Sequence, residues 1–231
     1  MKYHLPLLAI ALTTLATSSF AQSKFEGFYG QIAVGYESIS PTLTNTPIAV
    51  SGSSTTIPLS TSISSTSGAT GNVALGYTAS INKDFTLAIG AEYYPINSHS
   101  DNYTSTLLGK TSSGTYQKQN VYNIYLAPGM NVGTDGLAYF KVGYTGASFK
   151  STEGSASSTE NLTGYSLGLG YKQFFAGNWY GFGEANYFSY GNSVDNQRAS
   201  VTSPTGPRTL SWSTTFNANV YNFLVGVGYK F

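Results

Sequence analysis

One short string of the sequence combines the residue types that acyl transfer requires. Ser98, His99 and Asp101 lie within four consecutive positions. Acyl transfer uses a hydroxyl nucleophile, a base that takes its proton and a carboxylate that orients the base. Residues that are adjacent in a flexible segment are not held in a fixed geometry. We therefore expect a solvated loop here, no catalytic residue and no enzyme.

A second group of reactive side chains lies inside segments of alternating polarity. Five charged residues fall on the small or polar side of these segments, namely Glu37, Glu92, Lys141, Lys172 and Glu184. We interpret them as a structural network of ions and hydrogen bonds inside the fold, and the alternative is a set of selectivity groups lining a pore. Lys141 and Glu184 each lie about five residues from a short turn, by strand counting. They are therefore predicted to share one network.

Composition excludes several other functions. The chain has 231 residues, of which 9% are charged and 15% aromatic, against about 25% charged in an ordinary soluble domain. The net charge is +1, so the chain has no basic excess for a nucleic acid. It contains no cysteine, and the sequence shows no metal-ligand cluster and no phosphate-binding loop. No cofactor or metal is expected.

Alternation with a period of two residues predicts β-strands along the whole chain. At the C-terminal end Tyr221, Phe223 and Val225 alternate with Asn222 and other small or polar residues. Eight such segments occur, at 28–36, 69–81, 85–94, 119–130, 137–149, 161–174, 179–190 and 215–231. The phase is least clear at 179–190, where aromatic residues share a side with Glu184. The sequence therefore predicts an all-β protein.

The connections between these segments alternate between short and long. Short turns are expected at 82–84, 131–136 and 175–178, and long loops at 38–68, 95–116, 150–160 and 191–214. In an antiparallel sheet this order puts every short turn at one rim and every long loop at the other. That arrangement is typical of outer-membrane barrels. We therefore expect an eight-stranded antiparallel transmembrane up-and-down β-barrel.

The content of the polar side distinguishes a membrane barrel from a soluble sandwich. A sandwich exposes Lys, Glu and Arg to water, whereas this side contains mainly Gly, Ala, Ser, Thr and Asn, which suit a narrow lumen. The apolar side has tyrosines at strand ends, as expected for girdles at the two lipid interfaces. These are Tyr36, Tyr77, Tyr93, Tyr122, Tyr144, Tyr165, Tyr171 and Tyr229.

The N-terminal segment has the pattern of a secretory signal peptide. Lys2 precedes an apolar stretch at 5–16, and small residues at positions 19 and 21 form a cleavage motif. We predict a signal peptide at 1–21, cleaved after Ala21, and a barrel domain at 22–231.

Three strings resemble one known superfamily. They are FEGFYGQIAVGY at 25–36, YFKVGY at 139–144 and VGVGYKF at 225–231. They look like the small outer-membrane β-barrels of Gram-negative bacteria, which include OmpA-like and OmpX-like barrels and "porin family" proteins. By this resemblance Gly226, Tyr229 and Phe231 form an insertion signal for the barrel assembly machinery, although family signals often have a polar residue where Leu224 stands.

The resemblance implies a cell-surface location but no single function. The loop at 38–68 has 17 Ser or Thr and no charged residue, which favours surface display or adhesion. We expect a structural or surface-interacting role through the loops at 38–68 and 191–214. Parts of these loops, at Ile48, Val50, Ile57 and Leu59 and at 199–212, could extend the hairpins above the membrane. The alternatives are a narrow channel for ions or small solutes and a lipid A-modifying enzyme. The expected partners are outer-membrane lipid, lipopolysaccharide and a possible host or surface ligand. No nucleic acid partner is expected, and the protein is expected to be a monomer.

Overall fold

The computed structural model describes residues 23–203 and 206–231. The predicted signal peptide at 1–21 lies outside the described residues. Within those residues, no helix is long and apolar enough to cross a membrane.

The described chain forms twelve strands, and eight of them make a closed antiparallel ring. The ring runs β1-β5-β6-β8-β9-β10-β11-β12 and closes by pairing of the first and last strands. The predicted eight-stranded barrel is confirmed. The strands are β1 (Gly27–Asn45), β2 (Ile48–Val50), β3 (Thr56–Ile57), β4 (Leu59–Ile63), β5 (Thr66–Ser80), β6 (Phe85–Tyr94), β7 (Asp101–Leu107), β8 (Lys110–Val132), β9 (Gly136–Glu153), β10 (Ala156–Ala176), β11 (Trp179–Ser203) and β12 (Gly206–Lys230).

Closure satisfies the backbone of both terminal strands. The register of β1 with β12 runs without a break from Tyr29 opposite Lys230 to Asn45 opposite Thr214. Each of the eight strands thus has a hydrogen-bonded neighbour on both sides, which a sheet in lipid requires because no water is available to its edges.

The expected long loops are largely strand, which corrects their predicted bounds and goes beyond the partial hairpin extension that the sequence suggests. A turn at 154–155 joins β9 to β10, and β11 extends to Ser203 before β12 begins at Gly206. In the first external connection β2 pairs with β12. Farther from the membrane, β4 pairs with β7 in the same antiparallel manner as β5 pairs with β6 inside it. Leu59, Thr61 and Ile63 share the half-buried side of β4 and alternate with exposed Ser60 and Ser62. This pattern explains the extension, because one side of the strand can still be covered. The barrel wall therefore continues beyond the membrane.

The outward face of the membrane segments is apolar and exposed. Leu75 retains 67% of its accessible surface and Phe223 retains 71%. The tyrosines predicted for the girdles also lie on this outer face, for example Tyr144 and Tyr165. Lipid is the partner that covers such a surface.

The lumen differs in content from the small-residue lumen expected above. Large aromatic side chains point inward, among them Tyr180, Phe182 and Phe188, each at most 7% exposed. The ambiguous phase of β11 is thereby explained, because its aromatic residues and Glu184 all face inward.

Four inward tyrosines fit because each lies directly opposite a glycine on a neighbouring strand. A Cβ atom on any of these glycines would overlap the tyrosine ring. The pairs are Tyr29 with Gly76, Tyr125 with Gly90, Tyr139 with Gly170 and Tyr180 with Gly228.

Candidate functional site

An ion cluster crosses the lumen at membrane depth. Lys141 Nζ on β9 lies 2.7 Å from Glu92 Oε1 on β6 and 2.5 Å from Glu184 Oε1 on β11. All three side chains are at most 2% exposed. The two residues for which the sequence predicted a shared network, Lys141 and Glu184, are thus in direct contact, and Glu92 joins them.

Neighbouring polar groups complete the hydrogen bonding of both carboxylates. Asn123 Nδ2 donates to Glu92 Oε2 over 3.1 Å, and Tyr139 Oη donates to Glu184 Oε2 over 2.7 Å. Asn186 Nδ2 also donates to Glu184 Oε1 over 2.7 Å. Buried charges are tolerated when they are paired and hydrogen bonded in this way. The cluster links β6, β8, β9 and β11 across the barrel.

Lys172 is surrounded by aromatic rings rather than by carboxylates. Its Nζ lies 4.3 Å from the centre of the Tyr29 ring and 5.2 Å from the centres of the Tyr139 and Tyr180 rings. The electron-rich faces of such rings attract an ammonium group. Tyr139 connects this cage to the ion cluster through its bond to Glu184.

Glu37 lies apart from the other predicted network residues. Its Oε2 is 2.6 Å from Lys118 Nζ, and both side chains are at most 4% exposed. Sequence reasoning missed Lys118 because counting back in twos from the outward Tyr122 places it outward. A bulge between Gln119 and Tyr122 contains Asn120 with φ 51° and reverses the alternation. The described lumen therefore buries three glutamates and three lysines.

The N-terminal residues of the described chain cover the short-turn end of the barrel. Phe25 is 5% exposed and packs against Phe174 at a centroid distance of 4.5 Å. Lys24 Nζ lies 2.6 Å from Asp135 Oδ1 in the turn after β8. The hydrogen bond from Lys24 lowers the pKa of Asp135 below its ordinary value. The rings of Phe25, Phe174 and Tyr180 contact one another and form an aromatic seal at this end of the lumen. The contacts of Lys24 hold Phe25 in this seal.

An open cavity lies beyond the lumen, between the strand segments on the long-hairpin side. This cavity, called the cup below, has a volume of about 450 Å³. Its floor is formed by buried Tyr116 and Phe149 and by Phe216, with Phe149 and Phe216 rings 5.2 Å apart. Most other inward side chains in the cup are short hydroxyl residues or charges. The cup is the concave part of the molecule that faces outward from the membrane.

The candidate acyl-transfer residues have separate partners. Ser98 Oγ accepts a hydrogen bond from the Lys118 backbone N over 2.8 Å and donates to the His99 carbonyl over 3.0 Å. Asp101 Oδ1 accepts from the Asn102 backbone N over 2.7 Å. Ser98 thus bonds to backbone atoms rather than to the imidazole.

The predicted assembly-signal residues lie at the end of β12. The Tyr229 ring packs between Trp179 at 5.1 Å and Phe231 at 5.4 Å. Phe231 is 70% exposed on the lipid side, whereas Gly226 lies against the Phe182 ring inside.

A closed eight-stranded ring with an apolar outer belt and a polar, ion-paired interior defines an outer-membrane β-barrel. A sequence model described as "Outer membrane protein beta-barrel domain" matches residues 7–231. The chain belongs to this family, and the protein is located in the bacterial outer membrane.

The chain is also similar to solved structures, of which OprG supports the fold. OprG, an outer membrane protein from Pseudomonas aeruginosa, superposes with a TM-score of 0.53 at 13% identity, covering 91% of this chain and 98% of OprG. Ail, the attachment invasion locus protein of Yersinia pestis, gives 0.45 at 14% identity, with 89% and 99% covered. Neisserial surface protein A gives 0.44 at 13% identity, with 89% and 98% covered. No curated protein matches the chain.

Proposed function

We propose that the protein is a non-enzymatic and non-conducting barrel that acts at the cell surface through its external strands. The observation that carries this proposal is the bridge from Glu92 through Lys141 to Glu184, which spans the lumen with side chains that are at most 2% exposed. The interior of an eight-stranded barrel is just wide enough to be filled by side chains, as it is here at membrane depth. Passage of a solute would require breaking these buried ion pairs.

The external part of the chain is the remaining surface available for a partner. The segments at 38–68 and 191–214 supply β2, β3, β4 and the outer parts of β11 and β12. They present hydroxyl-rich edges and the cup. Binding and other functions of barrel proteins are commonly carried by such segments on a rigid scaffold. This arrangement supports a surface-interaction role.

Planar-bilayer recording tests whether the lumen is closed. We expect the purified protein to give no reproducible openings. The variant Phe25→Ala removes the aromatic seal at the short-turn end but leaves the ion cluster, and we expect it to be silent as well. Openings of the unmodified protein that disappear when the lumen is blocked would instead establish the channel alternative.

Cell-surface binding tests the external role. Cells that express the protein should adhere to a protein-coated surface more than cells with a variant in which residues 199–210 are replaced by a short Gly-Ser turn. Equal adhesion, with equal amounts of folded barrel in the outer membrane, would contradict the role of this hairpin. Mass spectrometry of lipid A from the same cells tests the enzyme alternative, and we expect identical lipid A with and without the protein.

A further inference from the structure

We propose that the cup binds an amphipathic organic cation, that is, an amine attached to an aliphatic chain. This inference rests on the proposed function, since it names a ligand class for the external surface. The cup volume of about 450 Å³ lies in the range of about 300 to 1,000 Å³ found for small-molecule sites. The side chains of the cup are divided between two walls of different chemistry.

One wall of the cup is aliphatic. It is formed by β1, β2, β4 and β7, where Leu43, Ile48, Leu59, Ile63 and Leu107 line the cavity. Ile48 is 1% exposed, and the others on β1 and β4 are half-buried. Such a wall favours a hydrocarbon chain, because each methylene group that leaves water tightens binding by about fourfold.

The opposite wall carries carboxylates. Glu153 on β9, Glu160 on β10 and Asp195 on β11 line the cavity. Ser193 Oγ donates to Glu160 Oε2 over 3.1 Å, and Gln197 Nε2 donates to Asp195 Oδ2 over 2.8 Å. Each of these two carboxylates keeps a second oxygen for a further donor.

Two lysines also border the cup, and only one of them is on its inner face. Lys110 shares the inward side of β8 with Tyr116. Lys150 is exposed and alternates with the buried Phe149, so its side chain lies on the outer face of β9. The inner face therefore has three carboxylates and one ammonium group, and its net charge is negative. A cationic ligand matches this charge, whereas a fatty acid or a phosphorylated lipid is repelled.

Aromatic side chains lie near the carboxylates. Trp212 and Tyr103 line the cavity, and Trp212 is opposite Gln197 in the pairing of β11 with β12. Burial, and then the nearby charge of Glu153, raise the pKa of Tyr103. The faces of Trp and Tyr attract ammonium groups. The division into aliphatic and acidic walls therefore selects for both parts of an amphipathic amine.

The chain offers a direct probe because it contains two tryptophans, Trp179 and Trp212. Trp179 packs on Tyr229 at the lipid face near the short-turn end, far along the strands from the cup. The variant Trp179→Phe leaves Trp212 as the reporter of the cup. The variant Trp212→Phe leaves Trp179 as a reporter of partitioning into lipid.

The experiment titrates octylamine into each variant, folded in nanodiscs of phosphatidylcholine, and follows tryptophan emission and binding heat. With Trp179→Phe we expect a saturable change in tryptophan emission and a saturable binding heat. With Trp212→Phe we expect a change in tryptophan emission that does not saturate. Octanoate and octanol should bind at least tenfold more weakly than octylamine. Equal affinity of the three probes, or no saturable signal by either readout, would overturn the proposal.

Charge variants in the Trp179→Phe background test the acidic wall. The double change Glu160→Gln and Asp195→Asn should weaken octylamine binding about tenfold, since each exposed charge pair contributes modestly. Lys110→Gln should tighten binding about twofold by the same reasoning. Asp84→Asn, in the turn at the other end of the barrel, is the matched control and should change nothing. An affinity of the double variant within twofold of its parent would contradict the assignment.

Failure of this inference is distinct from failure of the proposed function. Conductance of the same preparation would overturn the closed barrel and leave cup binding intact. Absence of octylamine binding would remove the ligand class and leave the closed barrel intact.

Discussion

The lumen at membrane depth and the cup share β1 and β8 to β12, yet one is filled and the other is open. In the lumen, inward tyrosines and the Glu92, Lys141 and Glu184 cluster occupy the space between the walls. In the cup, inward residues such as Ser151, Ser158 and Ser193 are short, and a cavity of about 450 Å³ remains. Two differences account for this: the inward side chains of the cup are shorter, and in its wall β2, β4 and β7 take the place of β5 and β6.

The two regions also differ in how their charges are used. Lumenal charges other than Lys172 bond to one another across the barrel, so they join strands that are distant in the ring. Charges in the cup bond to neighbours on the same or an adjacent strand, as Asp195 does with Gln197 and Glu160 does with Ser193. Stability should therefore depend on the lumen, and ligand selection should depend on the cup.

The largest expected effect comes from removing the lysine of the lumenal cluster. Lys141→Ala leaves Glu92 and Glu184 buried without their cation, and such a change costs about 3 to 5 kcal/mol. Urea unfolding in lipid vesicles and the heat-modifiable folded band on a gel measure it. The control is Lys150→Ala, on the exposed face of the external part of β9, which should change stability by less than about 0.5 kcal/mol. If the two variants are equally stable, the contrast between lumen and external strands is wrong.

A smaller effect is expected from the pairing of glycine with tyrosine in the lumen. The new methyl group of Gly228→Ala would overlap the Tyr180 ring, and overpacking of this kind costs about 1 to 3 kcal/mol. Gly183→Ala is the matched control on the outer face of β11, where no atom lies within 4 Å of the added Cβ. Urea midpoints in the same vesicles compare the two. An unchanged midpoint for Gly228→Ala would show that the ring can move into free space, and hence that the lumen is less filled than described.

The smallest effect is expected for the exposed ion pair of Lys24 and Asp135, whose side chains are 44% and 42% exposed. The pKa of Asp135 is lowered in the folded protein, so its contribution is present above the unfolded value of about 3.9 and is lost as the pH falls through the folded value. Asp135→Asn should lower the unfolding midpoint slightly at pH 7, and the difference should vanish in strong acid. High salt should reduce the difference at pH 7. A difference that persists in acid would assign the effect to the turn rather than to the charge.

Much of the fold could be predicted from the sequence because lipid on one side and a narrow lumen on the other impose strict alternation. The eight membrane segments and three short turns follow from that pattern. The sequence predicts only a partial extension of the external hairpins, because the alternation there lies in a Ser- and Thr-rich background. That composition resembles a flexible segment, whereas pairing with a neighbouring strand orders it.

The candidate site was less predictable because its contacts join distant parts of the chain. The partner of Glu37 was missed because one bulge at Asn120 reverses the side on which Lys118 lies. The inward tyrosines were not recognised as lumen filling because the glycines that accommodate them lie on other strands. The side chains that line the cup come from nine strands, so no single segment of the sequence shows both its aliphatic and its acidic wall.

Pairing of β1 with β12 from Tyr29 opposite Lys230 to Asn45 opposite Thr214 has a consequence for how the barrel forms. The two strands that close the ring are separated by almost the whole chain, so the final contacts have the largest loop-closure entropy and the highest contact order. Until they form, both strands present unpaired edges, which are templates for pairing with another chain. The slowest step of folding is therefore expected to be the pairing of β1 with β12, and the chain is most prone to aggregate before this step. A factor that holds the C-terminal strand during insertion would shorten the time for which these edges are unpaired.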